Sequence, residues 1–231
     1  MREIALIGAM ESEIHSYRKL LQNSETVHDG NFTFIDGEFC GKHIILACCG
    51  PGKVLTALTT QRIIDRYHPQ AMIMIGVAGA LKSELRLGDV VVSKDCVQHD
   101  MDVTALGFPR GAVPDTDYRF IQADTHLIAL AMKTPLHSHQ LVTGRIVTGD
   151  QFLSEEETLS RSYLFEELQG YVIEMEGAAL ALVCAFNQIP FVIIRTVCSE
   201  FEGSQEMQYR SSLPSVVDNA LLVVEAILLA L

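Results

Sequence analysis

The sequence predicts an α/β fold: one three-layer α/β/α domain over residues 1–231, with a central, mostly parallel mixed sheet. Three observations predict it. Short apolar runs rich in Ile and Val alternate with segments of helical period, the order expected of strands joined by crossover helices. The runs are nearly free of charge, as strands covered on both faces are. No repeat, low-complexity stretch or linker interrupts the alternation.

In chain order, Glu3–Ile7 is the first strand and Glu11–Leu21 the helix that follows it. Asn31–Ile35 adds a hairpin strand, and Ile44–Ala47 returns to the buried pattern. Lys53–Tyr67 is a helix beginning after Gly50-Pro51-Gly52, and Ala71–Ile75 and Val90–Ser93 are strands. Asp124–Met132 opens on an aspartate, a favoured N-cap because its carboxylate accepts hydrogen bonds from first-turn amides. Leu141–Thr148 is a strand, and Glu155–Leu168 a helix capped by Ser154, with Glu157 completing a capping box. Tyr171–Glu174, Gly177–Asn187, Phe191–Val197 and Ser215–Leu229 supply the last strand–helix–strand–helix series. The longest irregular segment, residues 100–119, carries Gly107, Pro109, Gly111 and Pro114; connections of that length are often functional.

A chain of 231 residues, 48% of them hydrophobic, buries a large core without disulfide or metal staples. A net charge of −12 repels phosphate backbones and argues against nucleic-acid binding. Six cysteines (Cys40, Cys48, Cys49, Cys96, Cys184, Cys198) lie mostly in apolar runs without a CxxC pair, which reads as reduced core thiols of a cytoplasmic protein. The first seven residues are too short a run for a signal peptide. The run Leu221–Leu231 contains Glu225 and is too short to span a bilayer, so it reads as a docked helix and no membrane is expected.

In open α/β sheets ligands bind at the carboxyl ends of strands. Six segments fall there: Gly8-Ala9-Met10-Glu11, Gly50-Pro51-Gly52, Gly76-Val77-Ala78-Gly79, Gly149-Asp150-Gln151-Phe152, Glu174-Met175-Glu176 and Cys198-Ser199-Glu200. The pair Glu174 and Glu176 is the most informative. On an extended strand both face one way, with Met175 opposite, and two unpaired carboxylates raise each other's pKa. One carboxylate on Arg195 and one on sugar hydroxyls resolves that conflict. Arg195 lies inside an apolar run and needs a carboxylate, from Asp150, Glu174 or Glu176. Glu11 and Glu13 open the first helix but cannot share a face, so at most one points into the site, as a general base or simply as a partner of the helix dipole. The Gly76–Gly79 stretch reads as a glycine-rich turn without a dinucleotide or Walker pattern. His99-Asp100-Met101-Asp102 looks like a metal motif, but with no second histidine close by it reads as a hydrogen-bonded structural cluster; no metal and no cofactor are expected. Phe152, just past a strand, either stacks on a flat base or fills core.

Together the segments resemble the nucleoside phosphorylase/nucleosidase superfamily, and within it the bacterial 5′-methylthioadenosine/S-adenosylhomocysteine nucleosidases. The resemblance runs from Ile7-Gly8-Ala9-Met10-Glu11 with Glu13, through Gly50–Val54, Ala78-Gly79, Leu87–Val91 and His99–Ala105, to Thr148–Phe152, Glu174–Ala179 and Arg195. It implies hydrolysis of the N-glycosidic bond of 5′-substituted purine nucleosides through an oxocarbenium-like transition state. It implies Glu13 as the base that activates water, Glu176 as the carboxylate on the ribose hydroxyls, Met175 against the sugar, Phe152 stacked on the base and the backbone of Leu153 at its edge. It implies Phe108 and Pro114 in the pocket for the 5′-substituent, completed in a homodimer by the partner subunit, with Leu106 reaching across. The remaining contacts implied are Ala9, Met10, Val77, Ala78, Gly79, Glu174, Arg195, Cys198 and Ser199. A phosphorylase needs arginines beside the first glycine-rich loop to hold phosphate, whereas here Glu11 and Glu13 follow it, which suits water.

The family carries Ser-Asp shortly after the arginine that matches Arg195, the Asp protonating the leaving base. Without a gap this chain has Cys198 and Ser199 there, with Glu200 one residue late. Glu200 takes the acid's role if the segment carries a one-residue insertion. The alternatives are a futalosine-type nucleosidase of menaquinone synthesis and a non-catalytic nucleoside-binding homologue. Val77 stands where the family has Ser or Thr, and Pro51 where a β-branched residue is common.

Overall fold

The computed structural model describes residues 3–201, 208–209 and 219–231. Ten strands and six α-helices are described: β1 Glu3–Gly8, α1 Glu11–Leu20, β2 Gln22–Asp29, β3 Phe32–Phe39, β4 Lys42–Cys48, α2 Lys53–Tyr67, β5 Ala71–Ala80, β6 Val90–Gln98, β7 Ile121–Gln122, α3 Thr125–Ala131, β8 Leu141–Thr148, α4 Glu155–Ser160, β9 Val172–Glu174, α5 Gly177–Asn187, β10 Phe191–Ser199 and α6 Asn219–Ala230.

All ten strands join one mixed sheet, ordered β10-β6-β8-β9-β5-β1-β4-β3-β2, with β7 on β6. The block β4-β1-β5-β10 is parallel, as is β6-β8-β9. Antiparallel pairs β10–β6 and β5–β9 join the two blocks. Because β10 pairs with both β5 and β6, strands β5, β10, β6, β8 and β9 close into a ring, and β1, β4, β3 and β2 extend from it as an open sheet.

The near-continuous apolar strands work because both faces are covered. Ala5 and Ile7 of β1, Met72 and Met74 of β5, and Phe191 and Ile193 of β10 pack into one core with Ile63 of α2 and Ala178 and Ala181 of α5. Their alternates Ile4, Leu6, Ile73, Ile75, Val192 and Ile194 pack into the other with Ile14 of α1, Leu127 of α3 and Val223 and Ile227 of α6. The period of two along each strand therefore feeds two helical layers.

Three expectations change. The helix expected over Glu155–Leu168 stops at Ser160: Ser160 Oγ donates to the Glu157 carbonyl (2.8 Å), Arg161 leaves the helical region (φ −101°, ψ 68°), and only a 3₁₀ turn over Ser162–Leu164 follows. The turn expected at Gly76–Gly79 is strand, since these residues pair with Arg195–Ser199 of β10. The hairpin is longer than Asn31–Ile35: β3 runs to Phe39 and pairs with β2, a strand whose residues are mostly exposed and which carries no apolar alternation. Asp124 caps α3 as expected, accepting from the Leu127 amide at 2.9 Å. The first four residues of the helix expected over Ser215–Leu229 lie outside the described residues. No disulfide links the six cysteines, and no described helix is long and apolar enough to cross a membrane.

Candidate active site

A cavity opens where β1, β5, β9 and β10 end. It is lined by Ala9 and Met10 after β1, Glu13 of α1, Pro51, Val77–Gly79 of β5, Gln151–Leu153 after β8, Ile173–Glu176 at the β9–α5 junction, Cys198 and Ser199 of β10, and Tyr209. All six strand-end segments picked out in the sequence contribute.

Beneath it sits Arg195, fully buried on β10. Its Nη2 donates to Glu174 Oε2 and reaches Glu176 Oε2 at 3.5 Å, while Nη1 donates to the Ile75 carbonyl at 2.9 Å. Asp150 is not its partner. Glu174 ends β9 and spends its remaining capacity locally: Thr148 Oγ1 donates to Oε1, and the amides of Glu176 and Gly177 donate to Oε2 at 3.1 and 2.7 Å. Every oxygen of Glu174 is thus committed to structure.

Glu176 does not share a strand face with Glu174, because β9 stops at Glu174 and Glu176 becomes the N-cap of α5. Its Oε1 accepts from the Gly52 amide at 2.8 Å. Burial and neighbouring Glu174 push its carboxyl up to about 7, against Arg195 and the Gly52 amide. Of the pair, Glu176 is the one that lines the cavity without a full set of local partners.

Glu13 is buried (3% exposed), whereas the Glu11 side chain is 70% exposed. Oε2 of Glu13 accepts from the amides of Ala9 (2.7 Å) and Met10 (3.0 Å), and Oε1 from Val77 (3.0 Å). Burial raises its pKa; Arg195 and the three amides oppose that shift. Gly76, facing Arg195 in the β5–β10 register, leaves space for this meeting: a β-carbon there would overlap Nη1 of Arg195 and come within 2.7 Å of Glu13 Oε1. Gly76 is required by side-chain crowding and not by a turn.

Phe152 is half-exposed (54%) on the cavity wall, its ring meeting Tyr209 edge-on at 5.6 Å. Leu153, next to it, is buried. Tyr209, which the sequence reading missed, donates its hydroxyl to Met10 Sδ at 3.1 Å. No local pattern around Gln208-Tyr209 marks it; only the tertiary path brings it over the cavity. Cys198 packs with Val77, Met10 and Tyr209, and burial pushes its thiol up to about 12, so it is a packing group and not a nucleophile.

The expected acid is not in the cavity. Glu200 Oε1 accepts from the Leu87 amide at 3.2 Å and the residue is absent from the lining. The β10–β5 register slips between Val197 and Ser199, so Cys198 is an extra residue and Ser199 is brought opposite Gly79. The carboxylate after the bulge is held by the loop preceding β6, and Ser199 is the polar residue at the cavity. Phe108 and Pro114 also fall outside the lining; Phe108 is 40% exposed, and Leu106, in a 3₁₀ turn, 75%.

The His99–Asp102 segment is a hydrogen-bonded hub. Asp100 bonds Lys53, Asp102 pairs with Arg110 at 2.8 Å, and His99 is buried beside Tyr163, its pKa lowered by burial to about 4. Among the described residues no group of three or more His, Cys, Asp or Glu side chains is placed to hold a metal ion.

The charged side chains on the lining are Glu13, Glu174 and Glu176, with no Lys, Arg or His among the described residues there. Such a wall repels a phosphate dianion and suits a water held by carboxylates beside a developing positive charge.

Comparison with known proteins agrees with this chemistry. A family model described as the phosphorylase superfamily matches residues 3–230. A 5′-methylthioadenosine/S-adenosylhomocysteine nucleosidase of Bacillus thuringiensis (strain Al Hakam) is 40% identical over 205 residues, 87% of each chain. The crystal structure of the nucleosidase of that name from Neisseria meningitidis, in complex with methylthio-immucillin-A, superposes with a TM-score of 0.92 at 33% identity over the full length of both chains. Futalosine hydrolase of Helicobacter pylori strain 26695 superposes with a TM-score of 0.91 at 31% identity, covering 100% of this chain and 98% of that one.

Proposed function

The chain belongs to the phosphorylase superfamily, and we propose that it is a nucleosidase, hydrolysing the N-glycosidic bond of 5′-substituted purine nucleosides such as 5′-methylthioadenosine and S-adenosylhomocysteine. The observation that carries this reading is Glu13: a buried carboxylate, aimed into an acidic cavity, fixed by three backbone amides and raised in pKa by burial. A carboxylate so placed takes a proton from water as that water attacks the anomeric carbon. Glu176 accepts from the ribose hydroxyls with the oxygen not spent on Gly52, and Met175 packs against the sugar. Phe152 stacks on the purine, with the Leu153 backbone at its edge. Arg195 lies beneath the substrate and offsets the charge of the two working glutamates, and Glu174 holds the guanidinium in place.

A second reading is favoured by Ser199. A hydroxyl at the base end, where a carboxyl acid was expected, suits a base that leaves without strong protonation, as in a futalosine-type hydrolase. Residues 1–231 act as one domain in the cytoplasm, in methionine salvage under the first reading. The exposed Leu106 and Phe108, with Val54 and Leu58 on α2, support a homodimer in which the partner completes the 5′ pocket.

The test is mass-spectrometric detection of free base from methylthioadenosine, S-adenosylhomocysteine, futalosine and inosine, with and without phosphate. Adenine released without phosphate supports the first reading, and hypoxanthine from futalosine the second. Turnover that requires phosphate, or no turnover of any substrate, overturns both.

A further inference from the structure

Two elements that line the cavity are tied together by charged side chains that do not line it. Pro51 comes from the Gly50–Gly52 turn, and Gln151, Phe152 and Leu153 from the segment after β8. The Lys53 amide donates to Asp150 Oδ1 at 2.8 Å. The Asp150 amide donates to Asp100 Oδ2 at 3.0 Å, and Lys53 Nζ donates to Asp100 Oδ1 at 2.7 Å. The circuit closes on itself: Lys53 backbone, Asp150 carboxylate, Asp150 backbone, Asp100 carboxylate, Lys53 ammonium. Gln98 Oε1 accepts a further bond from Nζ at 3.1 Å.

The Lys53–Asp100 pair is partly sheltered from water, its side chains being 18% and 23% exposed, while Asp150 itself is exposed. Ion pairs sheltered in this way hold geometry better than pairs on an open surface. Burial alone would raise the Asp100 carboxyl, but Lys53, the Asp150 amide and His99 leave it below its ordinary value, so it stays ionised at neutral pH. His99 supports the same segment from below. Its amide donates to the Thr148 carbonyl at 2.8 Å, and its ring fills the space under Gly149, where a β-carbon would overlap Nε2.

We infer that Lys53 and Asp100 are positioning residues: through both backbone and side chain of Asp150 they hold the Gln151–Leu153 wall against the Gly50–Gly52 turn and so fix the width of the cavity where the purine lies. The assignment of that space to a purine rests on the proposed function; the coupling of the two elements does not.

The experiment compares wild type with Lys53→Met, Lys53→Arg, Asp100→Asn and the Lys53→Met/Asp100→Asn double variant, by steady-state release of base from methylthioadenosine and by amide hydrogen exchange of the intact protein. Lys53→Met is expected to raise KM about tenfold and change kcat less than about threefold, since a loosened wall weakens placement more than chemistry. Lys53→Arg should recover most of the loss. Asp100→Asn should match Lys53→Met, and the double variant should be no worse than either single, as members of one circuit are non-additive. Exchange at residues 149–153 should rise in Lys53→Met. Unchanged KM, additive effects, kcat and KM failing together with global stability, or faster exchange confined to the neighbourhood of residue 53 would each overturn the inference. If wild type releases no base from any nucleoside, the proposed function fails, and the exchange data alone decide whether the circuit couples the two elements.

Discussion

Gly76 and Arg195 compete for one volume. They are register partners on β5 and β10, and a β-carbon on Gly76 would overlap the guanidinium while pressing on Glu13. The active arginine–glutamate cluster exists because one strand residue has no side chain.

Gly76→Ala should therefore be severe. Arg195 is fully buried and tied to Glu174, so it has nowhere to withdraw. Overpacking typically costs about 1–3 kcal/mol, and the lost ion-pair geometry adds to it. Differential scanning calorimetry should show Tm lower by several degrees, with base release abolished; a variant of wild-type Tm and activity would refute the crowding argument.

Glu13→Gln keeps the amide contacts' shape but cannot accept water's proton. Base release should fall by roughly 10²- to 10⁴-fold, and because both oxygens accept from backbone amides the new NH2 faces an N–H donor, at a cost to stability of about 1–3 kcal/mol. In wild type the carboxylate must be ionised to act, and burial raises its pKa. The acid limb of kcat/KM should thus turn down above the ordinary carboxyl value of 4.5, and a rate flat to below pH 4 would exclude Glu13 as the base.

Glu176 links pH to stability. Its folded pKa, about 7, lies above the ordinary 4.5, so the folded chain binds this proton more tightly than the unfolded chain. Stability from this group is full below about 4.5 and declines as pH rises towards about 7, with Glu13 contributing in the same direction. Glu176→Gln should flatten that slope in denaturant titrations. It should also raise KM by about 10- to 100-fold, as expected for losing a charged acceptor of ribose hydroxyls. A slope unaltered by the substitution would place the titration elsewhere.

Ser199 and Glu200 separate by substitution. Because Glu200 is held at the Leu87 amide, Glu200→Gln should leave kcat within about threefold, whereas Ser199→Ala should lower it by about tenfold, less than the roughly 10²- to 10⁴-fold a general acid supplies, because a hydroxyl donates a hydrogen bond without giving up its proton. Parallel single-turnover rates decide it: a collapse in Glu200→Gln would mean that the carboxylate swings into the cavity during turnover.

Much of this was readable in the chain. Apolar runs such as Ile4–Ile7 and Val192–Ile194 announce strands covered on both faces, because nothing else tolerates them. The conflict between Glu174 and Glu176 and the isolation of Arg195 foretold their pairing, since buried charge demands a partner. What escaped was set by tertiary structure. Gly76–Gly79 looks like a turn until β10 is known to lie beside it. Tyr209 reaches the cavity from a segment with no periodic signal. The bulge at Cys198 is a register event that no local composition encodes, and it is what separates Ser199 from Glu200.

The ring of β5, β10, β6, β8 and β9 leaves few free strand edges. The longest one described is β2, and its residues Gln22, Asn23, Ser24, Glu25, His28 and Asp29 are polar or charged, with an irregular register between Gln22 and Glu25. Edges of that kind make poor templates for a strand from another molecule. The polarity that hides β2 from a hydrophobic pattern is thus also its protection against aggregation. Replacing those side chains with β-branched apolar residues would give a sequence whose secondary structure is easier to read and a protein more prone to form fibrils.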